Sequence, residues 1–311
     1  MRRLLIVGGG GFIGRAFLAR VIHGGGREVV IAGRSNQPAY GLPAGVVYRQ
    51  VAPSDLAAYA ALLDWADEVV DFAYSSVPQT SFEDPVRDVL DNLPFNVALI
   101  KMASERSLEK FLFVSSGGTV YGHPVRLPID EAHPTDPVSP YGITKLAVEK
   151  YGLMYWRSKR LQFVAVRPGN PYGPGQLGHR GQGFVATAMQ QVLEGGTVTI
   201  FGERGAIRDY IYVDDLASGI LAALEYAAGG SVLNIGTGLG IDNRQMVNAI
   251  GTLVRRDGMQ LDVRTALARA FDVSANVLDS SKLRDISGWQ PEVALETGLE
   301  KAWAWIKGKQ V

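Results

Sequence analysis

The chain has 311 residues, 47% of them hydrophobic, with 31 Lys+Arg against 31 Asp+Glu. Such a length makes one large domain, or a large domain with a smaller lobe, and buries a substantial core. Balanced charge without a long basic run argues against nucleic acid or an anionic membrane surface as main partner. The absence of cysteine rules out disulfides, thiolate metal sites and a thiol nucleophile. The four histidines are scattered without ligand spacing, so no metal is expected. No apolar run approaches a membrane span, and the opening Met1–Val7 is too short for a signal core before glycines interrupt it. The expected location is the cytoplasm.

Arg3–Val7 reads as a buried parallel strand. The run from Gly8 to Gly14, G-x-x-G-x-x-G, follows it and opens a helix through about Ile22. Strand, glycine turn and helix together form a phosphate cradle. Gly8 permits the tight turn, Gly11 lets a pyrophosphate approach the backbone, and Gly14 lets the helix pack on the strand. Gly8, Gly11, Phe12, Ile13 and Gly14 are the candidate cofactor contacts here. Glu28–Ala32 is the second strand. NAD-binding proteins usually place Asp or Glu after it for the ribose hydroxyls, whereas this chain has Gly33-Arg34-Ser35. Arg34 suits a 2′-phosphate or an adenine face, which keeps NADP open beside NAD; it suits a solvated loop equally well.

Val46–Tyr48 is a third strand, with Gln50 or Val51 placed to meet adenine. Glu68–Ala73 is a fourth, and Ala73 leads through Tyr74-Ser75-Ser76 toward the cofactor. Asp84-Pro85 opens a long helix containing Asn92. Phe111–Val114 is a fifth strand. It runs into the hydroxyl-rich turn Ser115–Gly122, which can present hydroxyls to a sugar carbon that gains and loses a carbonyl, or else bonds only its own backbone.

Ser139 can cap a helix whose first position is Pro140. Tyr141 and Lys145 then lie one turn apart on one face. A phenol beside an ammonium is a usable acid/base pair, because a close positive charge lowers the phenol pKa from near ~10. Tyr155 and Lys159 repeat the spacing, so spacing alone decides nothing. Position does: Tyr141 is at the helix start, where ligands of an open α/β sheet lie. Beyond it, Leu161–Val166 is a sixth strand, 181–193 a helix and Val198–Phe201 a strand. Residues 207–213 alternate like a strand, Asp214 is the expected cap of the helix through Tyr226, and Val232–Ile235 returns to the sheet. A guanidinium fork matches phosphate oxygens with two bonds at once, so Arg208 and Arg269 can each take a diphosphate, a salt bridge from Arg208 to Asp209 or Asp215 being the alternative.

Taken together these stretches resemble the extended short-chain dehydrogenases/reductases, and within them the NAD-dependent epimerase/dehydratase family, nearest its UDP-glucose 4-epimerase-like members. The matches are Gly8–Gly14, Ser115–Gly122, Tyr141–Lys145, RPGNPYGP at 167–174, RDYIYVDD at 208–215, NIGTG at 234–238 and the closing GWQP at 288–291. The resemblance implies a Rossmann-type doubly wound parallel sheet with a smaller C-terminal substrate-binding lobe. The dinucleotide-binding domain would span 1–168, completed by segments at about 207–240, with 169–311 as the interleaved lobe.

It further implies Tyr141 as proton-shuttling base and Lys145 as the holder of the nicotinamide ribose. Asn170, Arg208 and Arg269 would lie on the substrate diphosphate and Asn276 over the hexose. Asn92 falls near a helix asparagine of the family, with Asn96 close by. Two departures stand out. The usual catalytic Ser or Thr aligns with Gly117, leaving Ser116 or Thr119 to serve, and Val7 replaces the usual first Thr of the glycine motif.

The implied activity is nucleotide-sugar 4-epimerisation with tightly bound NAD. Alternatives are an NADPH-dependent 4-keto-sugar reductase and, from another class, a non-catalytic dinucleotide-sensing protein. A 4,6-dehydratase would carry Asp-Glu where Gly118-Thr119 stand. A homodimer through helices at about 85–107 and 140–159 is expected from the resemblance.

Overall fold

The structure, a computed structural model, describes residues 1–178, 183–267 and 273–308. Its elements begin with β1 (Arg2–Val7), α1 (Phe12–Gly24), β2 (Arg27–Gly33), β3 (Val47–Gln50), α2 (Leu56–Trp65) and β4 (Glu68–Asp71). Then come α3 (Pro78–Glu83), α4 (Pro85–Ser104), β5 (Lys110–Val114), α5 (Pro140–Lys159) and β6 (Phe163–Pro168). The second half holds β7 (Asn170–Tyr172), α6 (Phe184–Leu193), β8 (Thr197–Phe201), β9 (Ile207–Tyr212), α7 (Val213–Tyr226) and β10 (Val232–Ile235). It ends with β11 (Gly240–Asp242), α8 (Asn243–Arg255), β12 (Asp262–Ala266), β13 (Ala275–Asn276), α9 (Ser281–Ser287) and α10 (Leu295–Lys307).

Strand side chains point alternately to opposite faces, so an apolar run feeds two cores at once. Leu4 and Ile6 of β1 pack with α1 and α7 through Phe17, Val21, Leu216 and Ile220. Leu5 and Val7 pack on the other face with Tyr59, Leu63, Leu99 and Ile100 from α2 and α4. β2, β5 and β6 divide in the same way. Side chains this deeply buried each contribute about 1.5–3 kcal/mol, which is why these strands form one parallel sheet. Its order is β10-β6-β5-β4-β1-β2-β3, a Rossmann-type doubly wound α/β fold.

α7 and β10 rejoin this sheet after the chain has left it. β9 does not: it pairs with β7, β11 and β13 in a second sheet. That arrangement corrects the expected alternation, because Asp209–Tyr212 are buried without alternating. Tyr210 and Tyr212 instead join a separate core with Tyr172, Met189, Ile250 and Trp303. The expected cap of α7 also moves. Tyr212 is its N-cap with no side-chain capping bond, and Asp214 lies inside the first turn. Asp215 accepts from the Val293 amide at 2.9 Å and so ties α7 to the C-terminal segment.

Candidate active site

All strands of the main sheet run in parallel, so the turns after β1, β4, β5 and β6 share its C-terminal edge. The turn after β1 is the glycine turn. Gly8 has φ +73°, and a Cβ there would stand 2.6 Å from the Ala73 amide nitrogen. A Cβ on Gly14 would come within 2.3 Å of the Gly9 carbonyl oxygen, whereas one on Gly11 would meet nothing within 4 Å. Gly11 is the N-cap of α1 and makes no side-chain capping bond. The first amides of α1, Phe12 and Ile13 among them, therefore keep the donors that a pyrophosphate takes. The residues present fit a dinucleotide phosphate.

Ala73 donates its amide to Asp71 Oδ1 at 2.8 Å, and Tyr74 follows it. The Tyr74 ring meets the Tyr141 ring edge-on, with centroids 5.0 Å apart. Lys145 Nζ lies 3.9 Å from the Tyr74 ring centre and 4.7 Å from that of Phe113, and donates to the Val114 carbonyl at 2.8 Å. The Tyr74 hydroxyl bonds Thr144 Oγ1, which donates to Asp88 Oδ2 at 2.7 Å; Ser76 donates to the other oxygen of Asp88. Since Thr144 has one proton and spends it on Asp88, Tyr74 is the donor to Thr144. Asn92 accepts from the Ser75 amide and hydroxyl at 2.7 and 3.0 Å, while Asn96 sits one turn on and donates to the Asn92 carbonyl.

Tyr141 and Lys145 are placed by their helix start. Ser139 Oγ accepts from the Gly142 amide at 3.1 Å with Pro140 in the first position. Their electrostatics correct the expectation from spacing. Burial pushes the Tyr141 phenol up, and Asp88 pushes it the same way. Burial pushes the Lys145 ammonium down, against the pull of Asp71, Glu149 and Asp88. Lys145 Nζ is 5.8 Å from the Tyr141 ring centre, and desolvation outweighs its attraction for the phenolate.

The turn after β5 is built on a buried ion pair. Arg167 bonds Glu149 at 2.6 and 3.0 Å, and Ser115 donates to the same carboxylate. Ser116 is half-buried beside Gly118, and Thr119 Oγ1 is buried without a hydrogen-bond partner among the described residues. Asn170 Oδ1 lies 3.4 Å from where a Cβ of Gly118 would stand. Asn276 donates to the Gly117 carbonyl at 2.9 Å and is 1% exposed. Arg208, paired in register with Asn276, donates to the carbonyls of Ile207 and Val273. Asp209 turns to Thr237, Gly238 and Leu278, and burial pushes its carboxyl up. Arg269 lies outside the described residues. Arg34 and Gln50 are exposed at the far end of the cleft, with the Gln50 amide on Asn36 Oδ1 at 2.9 Å.

The structure thus joins the glycine turn, Ala73, Tyr74, the Tyr141–Lys145 pair, the hydroxyl turn, Asn276 and Arg208 by successive contacts. Sequence reading gives no role to Asp88, Thr144 or Glu149. Only the four-residue spacings of Asp88 to Asn92 and of Lys145 to Glu149 hint at them. Among the described residues, no group of three or more His, Asp or Glu is placed to hold a metal, and no helix is long and apolar enough to cross a membrane.

A parallel sheet with a phosphate turn at its edge and a tyrosine–lysine pair at a facing helix start defines a nicotinamide-dinucleotide enzyme. The model of the NAD dependent epimerase/dehydratase family matches residues 4–236, and the chain belongs to that family, whose cofactor is NAD. It is 32% identical over 315 residues to a UDP-glucose 4-epimerase of Mycolicibacterium smegmatis, covering 99% of each chain. The Thermotoga maritima UDP-glucose 4-epimerase solved with UDP-glucose superimposes with a TM-score of 0.91 at 29% identity, covering 99% of this chain and 100% of that one. The Thermus thermophilus UDP-glucose 4-epimerase in complex with NAD gives 0.89 at 32% identity, covering 98% and 99%.

Proposed function

We propose that the chain is a nucleotide-sugar 4-epimerase acting on a UDP-hexose, glucose or N-acetylglucosamine, by transient oxidation at C4. The observation that carries this reading is the unbroken run of contacts from the glycine turn through Tyr141 and Lys145 to Asn276 and Arg208. Likeness to named 4-epimerases over nearly the whole chain supports it. Of the expected completion at about 207–240, α7 and β10 lie with residues 1–168 in the dinucleotide-binding domain, whereas β9 and the rest of 169–311 form the interleaved substrate lobe.

When bound, the nicotinamide supplies an acceptor and donor of hydride at the sugar C4. Gly8, Gly11, Phe12, Ile13 and Gly14 hold the pyrophosphate, with Ala73 beside the turn and Gln50 toward the adenine. Lys145 holds the nicotinamide ribose. Tyr141 moves the proton of the 4-hydroxyl. Its raised pKa keeps it protonated in the resting site, so it acts as base only when positive charge gathers beside it, and the Lys145 ammonium is the nearby cation. Ser116 and Thr119 orient the sugar oxygen in place of the side chain that Gly117 lacks. Asn170, Arg208 and Arg269 grip the diphosphate, whose binding energy retains the 4-keto sugar while it turns. Asn276 is smaller than a tyrosine, and this difference in side-chain volume is the reason for including an N-acetyl group at C2 among the substrates.

The test is conversion of UDP-galactose to UDP-glucose with no added reductant, repeated with the N-acetylated pair. Tyr141→Phe should keep dinucleotide binding and lose turnover by roughly 10²–10⁴-fold; an active Phe variant means another base. A need for stoichiometric NADPH and a 4-keto sugar would make the enzyme a reductase. The exposed apolar stripe on α4 and α5, with Val86, Leu90, Ile143, Tyr151 and Met154, supports a homodimer through those helices.

A further inference from the structure

The proposed chemistry uses the nicotinamide end of the cleft and leaves its adenosine end unexplained. A ribose 2′-hydroxyl is read by a carboxylate at the end of the second strand. A 2′-phosphate is repelled by that carboxylate and bound by a guanidinium. In this chain β2 ends at Gly33, opposite Gln50 of β3. A Cβ on residue 33 would stand 2.5 Å from the Tyr48 hydroxyl oxygen. The phenol of Tyr48 therefore fills the place from which a carboxylate side chain would have to start.

The same strand holds the loop beyond it. Tyr48 donates to the Ser35 carbonyl at 2.9 Å, and Gln50 donates to Asn36 Oδ1 at 2.9 Å and to the Arg34 carbonyl at 3.4 Å. These bonds fix the backbone of 34–36 while using none of the Arg34 guanidinium. That guanidinium is exposed and has no side-chain partner among the described residues. No Asp or Glu occurs between Glu28 and Asp55, so this stretch carries no acid to repel a phosphate. The loop also closes on the glycine turn: Tyr40 donates to the Gly9 carbonyl at 2.8 Å and the Ala39 amide to the Gly10 carbonyl at 3.2 Å. The free cation is thus carried on a segment bonded directly to the phosphate cradle.

We propose that the cleft of this chain binds the 2′-phosphorylated dinucleotide, NADP, at least as tightly as NAD, with Arg34 and the Ser35 hydroxyl on the 2′-phosphate and Tyr48 barring the carboxylate that would refuse it. The proposal rests on dinucleotide binding and not on which sugar reacts.

Calorimetry on the full-length protein, stripped of nucleotide, tests it with NAD, NADP, 5′-AMP and adenosine 2′,5′-bisphosphate. NADP should bind no more weakly than NAD, and the bisphosphate more tightly than 5′-AMP. Arg34→Ala, an exposed change, should weaken NADP and the bisphosphate by about tenfold or more and NAD by less than about twofold. Tighter binding of NAD than of NADP by the wild-type protein overturns the proposal. So does an Arg34→Ala loss that is equal for the two dinucleotides, or binding of neither. If NADP binds as stated and no UDP-sugar turns over, the sugar reading fails while this one stands.

Discussion

A side chain on residue 117 would begin 2.6 Å from Leu278 Cδ1 and 2.8 Å from the Arg167 carbonyl oxygen. The missing hydroxyl is therefore a consequence of packing, since β6 and the segment after β13 have closed on the turn and Asn276 binds its carbonyl. Gly117→Ser should destabilise the protein by about 1–3 kcal/mol, read as a lower urea midpoint, and should not raise turnover. If that variant were as stable as the wild type and faster, the reacting hydroxyl would belong at this position. Burial acts as strongly on the acid/base pair. Tyr141 and Lys145 are each pushed toward neutrality by loss of water, so the charge that activates the phenol has to come from what the cleft binds as well as from the lysine.

At the scale of elements, the glycine turn divides its labour. Gly14 allows the close approach of α1 to the turn, while Gly11 faces open space in a backbone conformation, φ −96° and ψ −170°, that any residue adopts. Gly14→Ala should lower the melting temperature of the nucleotide-free protein by at least about 2–4 °C. Gly11→Ala should leave it unchanged and weaken dinucleotide binding by about 1 kcal/mol or more. Equal effects of the two on stability would refute that division.

The clamp between β1 and β4 predicts a pH dependence. Asp67, just before β4, accepts from the Arg3 amide at 2.8 Å and from its guanidinium at 2.7 Å. These bonds, the guanidinium foremost, hold its carboxyl at about 2, below the ordinary 3.8. Between those values the unfolded chain binds more protons than the folded one, so the ionised clamp stabilises fully above pH 3.8 and is lost as pH falls toward 2. Asp67→Asn should be less stable at pH 6 by no more than about 1 kcal/mol. The gap should close between pH 4 and pH 2, and a gap constant with pH would mean that the charge contributes nothing.

For the whole molecule, α4 and α5 pack on the sheet with one face and leave another to solvent. Val86 and Leu90 lie one turn apart on α4, each about two-thirds exposed, and Ile143, Tyr151 and Met154 follow helical spacing along α5. An exposed apolar face of this kind is where the proposed homodimer would bury its contact. The wild-type protein should sediment as a dimer, and Leu90→Arg combined with Ile143→Arg should give a monomer with unchanged far-ultraviolet dichroism. A monomeric wild type would remove the homodimer from the proposal.

What local chemistry controls was legible along the chain. Apolar runs such as Leu4–Val7 and Phe111–Val114 have few alternatives to a buried strand, glycines at 8 and 14 to a tight turn, and Ser139-Pro140 to a helix start. Each depends on interactions within a few residues, so sequence alone determined these strands, the glycine turn and the helix start that carries Tyr141 and Lys145. Tertiary structure decided the rest. The non-alternating burial of β9 depends on β7, β11 and β13. The Tyr74–Thr144–Asp88 chain joins residues up to 70 apart, and Asn276 reaches Gly117 across 159 positions. The direction of each pKa at the site, and the barring of a carboxylate at Gly33 by Tyr48, follow from which surfaces lose water and which atoms share a volume. Those quantities exist only once distant segments have packed together.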